Sequence, residues 1–196
     1  MRVSVIRTLL LLMACFSATA VLAQDNDHVE IGVFADYFNL SHPTPNINFV
    51  GVGGRAAFNV RSNVQIEAEM AYDFQRNFTT TTNNGISTNF IRTSTRPLHA
   101  LFGPKIETSG GGVRFFGTFK AGLINFSSSS QNLTGGFQSG LSEITTGNTS
   151  AAIYPGVGLE GFIGWFGLRA DVGDEMYFSN GTHHNIRATF GPTFRF

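Results

Sequence analysis

The sequence predicts an all-β protein, an eight-stranded antiparallel up-and-down transmembrane β-barrel. Three observations lead there. Charged residues make up only 13% of the 196-residue chain, against about 25% in soluble domains. Apolar side chains recur at every second position in eight separate segments, the periodicity of a strand whose two faces meet different surroundings. The connections between those segments alternate between short turns and long polar stretches, as in barrels anchored in an outer membrane. The mean hydropathy of +0.04 is far too low for a bundle of membrane helices. A formal net charge of zero leaves no electrostatic footprint for a polyanion, so nucleic acid is not expected as a partner.

The chain opens with Arg2 and Arg7 around the start of the apolar run Leu9–Phe16, which small residues follow. This is the pattern of a secretory signal peptide over residues 1–23, cleaved after Val21-Leu22-Ala23, and the run is too short to span a bilayer. Leu12-Met13-Ala14-Cys15 loosely matches a lipoprotein signal, the weaker reading because the apolar stretch continues past Cys15. With Cys15 removed, the remaining domain, residues 24–196, has no cysteine and falls outside the disulfide-stapled secreted class.

The strands follow in order. In the first, Val29, Ile31, Val33, Ala35 and Tyr37 alternate with Glu30, Gly32, Phe34 and Asp36. The second runs Val50, Val52, Gly54, Ala56, Phe58 and Val60 against Gly51, Gly53, Arg55, Ala57 and Asn59. The third is the clearest, with Val64, Ile66, Ala68, Met70, Tyr72 and Phe74 opposed by Gln65, Glu67, Glu69, Ala71 and Asp73. Leu98, Ala100, Phe102 and Ile106 then oppose His99, Gly103 and Lys105, and Val113, Phe115, Phe119, Ala121 and Leu123 oppose Arg114, Thr118, Lys120 and Gly122. The sixth, Ala152 to Gly161, sets Ile153, Val157 and Leu159 against Gly158 and Glu160. In the seventh, Phe166, Leu168, Ala170 and Val172 oppose Arg169, Asp171 and Gly173. The eighth closes with Ile186, Ala188, Phe190, Phe194 and Phe196 against Arg187, Thr189, Gly191, Thr193 and Arg195.

Residues 61–63, 107–112 and 161–164 read as short turns. Gln75–Arg92 and Asn125–Ser150 read as long loops, with Ser41–Asn46 and Phe178–Asn185 at the same end. If both termini are periplasmic, these loops lie outside the cell. Tracts such as Thr79–Thr82 and Ser127–Ser130 mark them as solvated sequence, where an extracellular ligand would have to bind.

Alternation alone does not say which face points outward, because a soluble lipid carrier reverses the polarity. The polar face mixes opposite charges, which suits neutralisation in a confined interior. Aromatic residues near strand ends, Tyr37, Phe49, Phe74, Tyr154, Trp165, Tyr177 and Phe196, fit interfacial girdles. The apolar face is therefore expected to meet outer-membrane lipid. Arg55, Glu67, Glu69, Lys105, Arg114, Lys120, Glu160, Arg169, Asp171, Arg187 and Arg195 then point inward. They are long enough to cross an eight-stranded interior, so a plugged lumen is expected and a general porin is not; a narrow pore is the remaining pore reading.

Pro97 and Pro155 fall towards outer strand ends and Pro104 and Pro192 towards inner ones, near rims where a missing donor is tolerated; Gly103-Pro104, Pro155-Gly156 and Gly191-Pro192 would mark bulges or bends in the wall. The inward glycines Gly51, Gly53, Gly156 and Gly158 leave room for long Arg and Glu side chains. His28, His42, His99, His183 and His184 lack metal-ligand spacing and are expected at the surface, with no metal and no cofactor. The Asn-x-Ser/Thr motifs, such as those at Asn77 and Asn132, read as polar loop sequence in a bacterial envelope.

Val52-Gly53-Gly54-Arg55-Ala56-Ala57-Phe58-Asn59-Val60, Gly103-Pro104-Lys105, Gly156-Val157-Gly158-Leu159-Glu160 and the stretch from His184-Asn185-Ile186-Arg187 to Phe194-Arg195-Phe196 resemble the outer-membrane β-barrel domain family, which includes the transmembrane domain of outer membrane protein A. The resemblance covers nearly all of residues 24–196. It implies a barrel in the bacterial outer membrane, inserted by the barrel-assembly machinery, which would read the strand ending in Phe196. No peptidoglycan-binding domain is expected after Phe196. Tyr177-Phe178-Ser179-Asn180-Gly181 resembles the Ser-Asn step of the lipid A deacylase family. That pattern calls for a histidine at position 177, where Tyr177 stands, and Ser179-Asn180-Gly181 makes a good hairpin turn. The expected function is thus non-enzymatic, a structural or surface-interaction role, with a lipid A-modifying enzyme as the alternative.

Overall fold

A computed structural model of the chain describes residues 29–41, 46–83, 88–108, 111–130 and 149–196. The expected signal peptide with Cys15, the histidines His28 and His42, the motif at Asn132 and parts of three of the expected loops lie outside these residues.

The strands are β1 (Val29–Leu40), β2 (Ile47–Arg61), β3 (Val64–Asp73), β4 (Arg76–Asn83), β5 (Thr88–Glu107), β6 (Val113–Ser130), β7 (Thr149–Ile163), β8 (Phe166–Phe178) and β9 (Thr182–Arg195). Their order is β3-β2-β1-β9-β8-β7-β6-β5-β4, all antiparallel, and the pairing of β3 with β5 closes the sheet. β3 and β4 are successive parts of one stave. Both pair with β5, and only Phe74 and Gln75 separate them. The result is a closed eight-stranded barrel in which each strand of the wall is paired on both sides, the condition a β-sheet must meet to span a bilayer. The ends meet in the same ladder: Val29 N–H donates to Phe196 O at 3.1 Å and Phe196 N–H to Val29 O at 2.9 Å.

Polarity follows the pleat. Phe115, Val157 and Phe102 are 64%, 63% and 59% exposed, whereas Glu67, Lys105 and Arg187 are 0% exposed. The apolar set faces outward and the ionic set inward, the reverse of a soluble lipid carrier and the polarity of a barrel wall that faces lipid.

The structure corrects several expectations. Much of the expected loop Gln75–Arg92 is strand, because β4 and the start of β5 pair as a ribbon from Arg76↔Thr95 to Asn83↔Thr88. β6 likewise runs on to Ser130, and β9 begins at Thr182, leaving a tight turn over residues 179–181. Alternating polarity marks a strand only where its two faces meet different media, and the Thr-rich and Ser-rich runs carry no alternation in their sequence. Pro155 lies in the middle of β7, not near a rim. At Pro104, Pro155 and Pro192 the ladders skip residues but resume in the same register, so no bulge forms. The neighbouring backbone instead comes very close: a Cβ at Gly103 would stand 2.1 Å from Phe119 O, and one at Gly191 2.0 Å from Val33 O. The register shift that does occur lies between Asn59 and Arg61.

Candidate functional site

The interior is the most chemically dense part of the molecule. Every strand of the closed wall delivers alternate side chains into it, and these fall into three zones along the barrel axis.

Nearest the rim of short turns, Lys105 Nζ donates to Glu160 Oε2 at 2.7 Å and Glu30 Oε2 at 3.2 Å. Arg195 Nη2 donates to Glu30 Oε1 at 2.7 Å, and Arg114 Nη1 to Glu107 Oε1 at 2.6 Å. In the middle zone Arg169 grips Glu67 through both terminal nitrogens. Lys120 Nζ lies 2.5 Å from carboxylate oxygens of both Glu67 and Glu69. Arg55 Nη1 donates to Asp171 Oδ2 at 2.8 Å and its Nη2 to Thr189 Oγ1 at 2.7 Å. Further out, Arg187 joins Asp36 (2.9 Å), Glu69 (2.9 Å) and Glu175 (3.1 Å). Many of these pairs connect strands that are not neighbours in the sheet; Arg55 on β2 and Asp171 on β8 are one example.

Aromatic rings fill space beside this network. Arg55 lies over the Phe34 ring at 4.2 Å, Arg169 over Phe116 at 4.2 Å and Arg195 over Phe162 at 3.7 Å, each a cation–π contact in a dry setting. Phe34 occupies the room left at Gly53, and Phe116 that at Gly158. The inward glycines therefore accommodate aromatic rings as well as the long polar side chains expected from the sequence.

The outer zone, towards the longer loops, is apolar. Phe38, Leu40, Phe49 and Ile124 are fully buried there, with Phe126 and Tyr177 beside them. This corrects the girdle assignment: Phe49, Tyr154 and Tyr177 face inward, while Tyr37, Phe74, Trp165 and Phe196 are exposed. Tyr154 shares its face of β7 with Glu160, and Tyr177 shares its face of β8 with Glu175. Parity contained this information, but the preference of aromatic residues for girdles led the other way.

Ten of the eleven charges singled out in the sequence are buried in this interior, and Arg114 lies half-buried at its rim against Glu107. Among those eleven, however, cations outnumber carboxylates. Five more carboxylates, Glu30, Asp36, Asp73, Glu107 and Glu175, all buried, turn this into an excess of carboxylates, nine against seven; their signal was again parity with the inward set. His99, expected at the surface, is also 0% exposed, because it shares its face of β5 with Lys105. Its Nδ1 stands 2.6 Å from Glu175 Oε1 and its Nε2 3.2 Å from Asp73 Oδ2.

The serine of the deacylase-like segment sits in the β8–β9 turn. Asn180 has φ 49° and Gly181 φ 149°, which fits a turn. His183 Nε2 meets the main-chain carbonyl of Ser179 at 2.9 Å, and its ring stacks on Tyr177. His184 Nδ1 instead approaches Asp174 Oδ2 at 2.6 Å.

Compared with protein-family models and with curated proteins, the sequence matches none. Solved structures do match. Neisserial surface protein A superposes with a TM-score of 0.56 at 9% identity, over 86% of this chain and 97% of that one. Ail, the attachment invasion locus protein of Yersinia pestis, in complex with the heparin analogue sucrose octasulfate, gives 0.50 at 16% identity, over the same shares of the two chains. The chain has the fold of the outer-membrane β-barrels. The apolar belt and ionic interior of this outer-membrane-type barrel are its own, read from its residues; at these identities the likeness is one of fold.

Proposed function

We propose that this barrel resides in the bacterial outer membrane, with its long loops outside, and serves a non-enzymatic structural or surface-interaction role. Its interior acts as a plug rather than a conduit. The observation that carries this reading is the set of buried ion pairs tying opposite sides of the interior together, with Lys120, Arg169 and Arg187 at its centre, beneath apolar side chains at the outer end. Opening a path would separate charges in a dry setting at a cost of several kcal/mol per ion. In planar bilayers the refolded protein is expected to give no stable open channel. A reproducible nanosiemens conductance would defeat the plug, and a smaller steady one would establish the narrow pore.

Surface interaction rests on the fold shared with Ail, whose structure holds a heparin analogue, and on the loops at the outer end. The barrel-assembly machinery would insert the chain by its last strand, ending at Phe196. The enzymatic alternative requires Ser179 as nucleophile, yet the nearby histidine contact falls on its carbonyl. Incubation with lipid A should leave the lipid's mass unchanged; acyl loss that disappears in Ser179→Ala would establish a deacylase.

A further inference from the structure

One group of interior side chains is arranged for more than ion pairing. Asp36 on β1, Asp73 on β3 and His99 on β5 each place a donor atom within 4.8 Å of the others, and all three are buried. We propose that these residues form a binding site for one divalent transition-metal ion, zinc by preference, with Glu175 as the carboxylate that orients His99.

Four features support the assignment. The two bonds of His99 are unequal: Nδ1 is held tightly by Glu175 at 2.6 Å, whereas Nε2 meets Asp73 loosely at 3.2 Å. A metal-ligating histidine characteristically donates one ring N–H to a carboxylate and presents the other nitrogen to the ion. Ligands about 2.1 Å from a tetrahedral zinc stand roughly 3.4 Å apart, close to the observed Nε2–Oδ2 spacing. Asp73 Oδ1 is buried without a hydrogen-bond partner, although Asp73 is 0% exposed; such an atom costs about 1–3 kcal/mol if nothing satisfies it. Charge points the same way. Asp36 and Glu175 share one guanidinium, Arg187, and Asp73 meets His99 alone among the described cations, while Glu69, which Arg187 also touches, is matched by Lys120. A divalent ion bound through a neutral imidazole brings that sum to zero.

One imidazole and two carboxylates suit zinc, manganese or ferrous iron better than calcium or magnesium, which take oxygen ligands almost throughout. The ring of Phe38 packs edge-on against His99 at 4.8 Å, and Leu40, Phe49 and Ile124 complete an apolar cover. An ion there would be shut off from solvent and would tie together β1, β3 and β5, so it would enter while the barrel closes.

The test refolds the chelator-treated protein from urea in detergent, with zinc supplied either before or after folding, and measures bound metal after gel filtration. Expected is one zinc per barrel when metal is present during folding, with uptake by the finished barrel slower. Asp73→Asn and His99→Gln should lower retention at least tenfold, and Glu175→Gln by about 10–100-fold, in protein whose unboiled gel mobility still shows a folded barrel. His184→Ala, at the exposed rim, should change nothing. X-ray absorption of the zinc-loaded wild type needs no variant and should show a single imidazole with oxygen neighbours. Absence of stoichiometric zinc under both orders of addition, retention unaltered in Asp73→Asn, loss in His184→Ala, or a spectrum without imidazole or with two would each overturn the site and leave His99 as an imidazolium bridging two carboxylates.

Discussion

At the scale of single residues, the interior is more sensitive than the belt. Glu67 is 0% exposed and faces both Arg169 and Lys120. Glu67→Gln leaves buried cations short of a partner and should lower unfolding stability by about 3–5 kcal/mol, measured by urea titration of the barrel in detergent. Replacing Glu67 and Arg169 together by leucine should cost less than either single change, because Lys120 keeps Glu69 and Asp171 keeps Arg55. Glycines divide in the same way. A Cβ at Gly158 would stand 2.4 Å from Ala170 O and from the Phe116 ring, whereas one at Gly117 would meet nothing within 4 Å. Gly158→Ala should thus destabilise by about 1–3 kcal/mol and Gly117→Ala by a few tenths at most, in the same titration. Within the alternating segments the direction of most side chains was legible in the sequence, because parity is a strict consequence of the pleat. Misplaced residues were those whose chemistry suggested a different home: Phe49, Tyr154 and Tyr177 as girdle aromatics, and His99 as a surface histidine.

At the scale of elements, all eight staves were legible, but not their lengths. β5 reaches twenty residues, of which only the apolar-alternating stretch near Leu98–Ile106 announced itself. Turns were clearer, since they rest on backbone chemistry. Asn180 at φ 49° occupies the left-handed region that asparagine tolerates. Asn180→Ala should cost about 1–2 kcal/mol while Asn180→Gly is nearly neutral, again by urea titration. The opposite rim has an optical probe. Trp165, the chain's one tryptophan, is exposed and stacks on Phe194 at 5.6 Å. In vesicles its emission should shift to the blue on folding and be quenched best by lipids labelled near the headgroup, not at the acyl-chain centre.

For the molecule as a whole, the low charge fraction and zero net charge describe how charge is distributed rather than merely how much there is. Most ionic residues of the described strands are gathered inward, nine carboxylates against seven arginines and lysines; the described phenylalanines divide among the outward belt, the outer apolar zone and the plates beside the arginines. The outer zone was the least legible feature, because it depends on which inward positions coincide at one height, and that requires the register between strands. The meeting of Val29 and Phe196 in one ladder has a consequence for assembly. The wall is a ring, so the same barrel can be written as a chain that starts elsewhere. A permuted protein, with residues 196 and 29 joined by a short linker and new ends opened at Gly181, should form an equally heat-modifiable barrel when refolded in detergent. In cells it would separate two roles that the native order confounds, since Phe196 would still close the ring but β9 would no longer be the barrel's final strand in chain order.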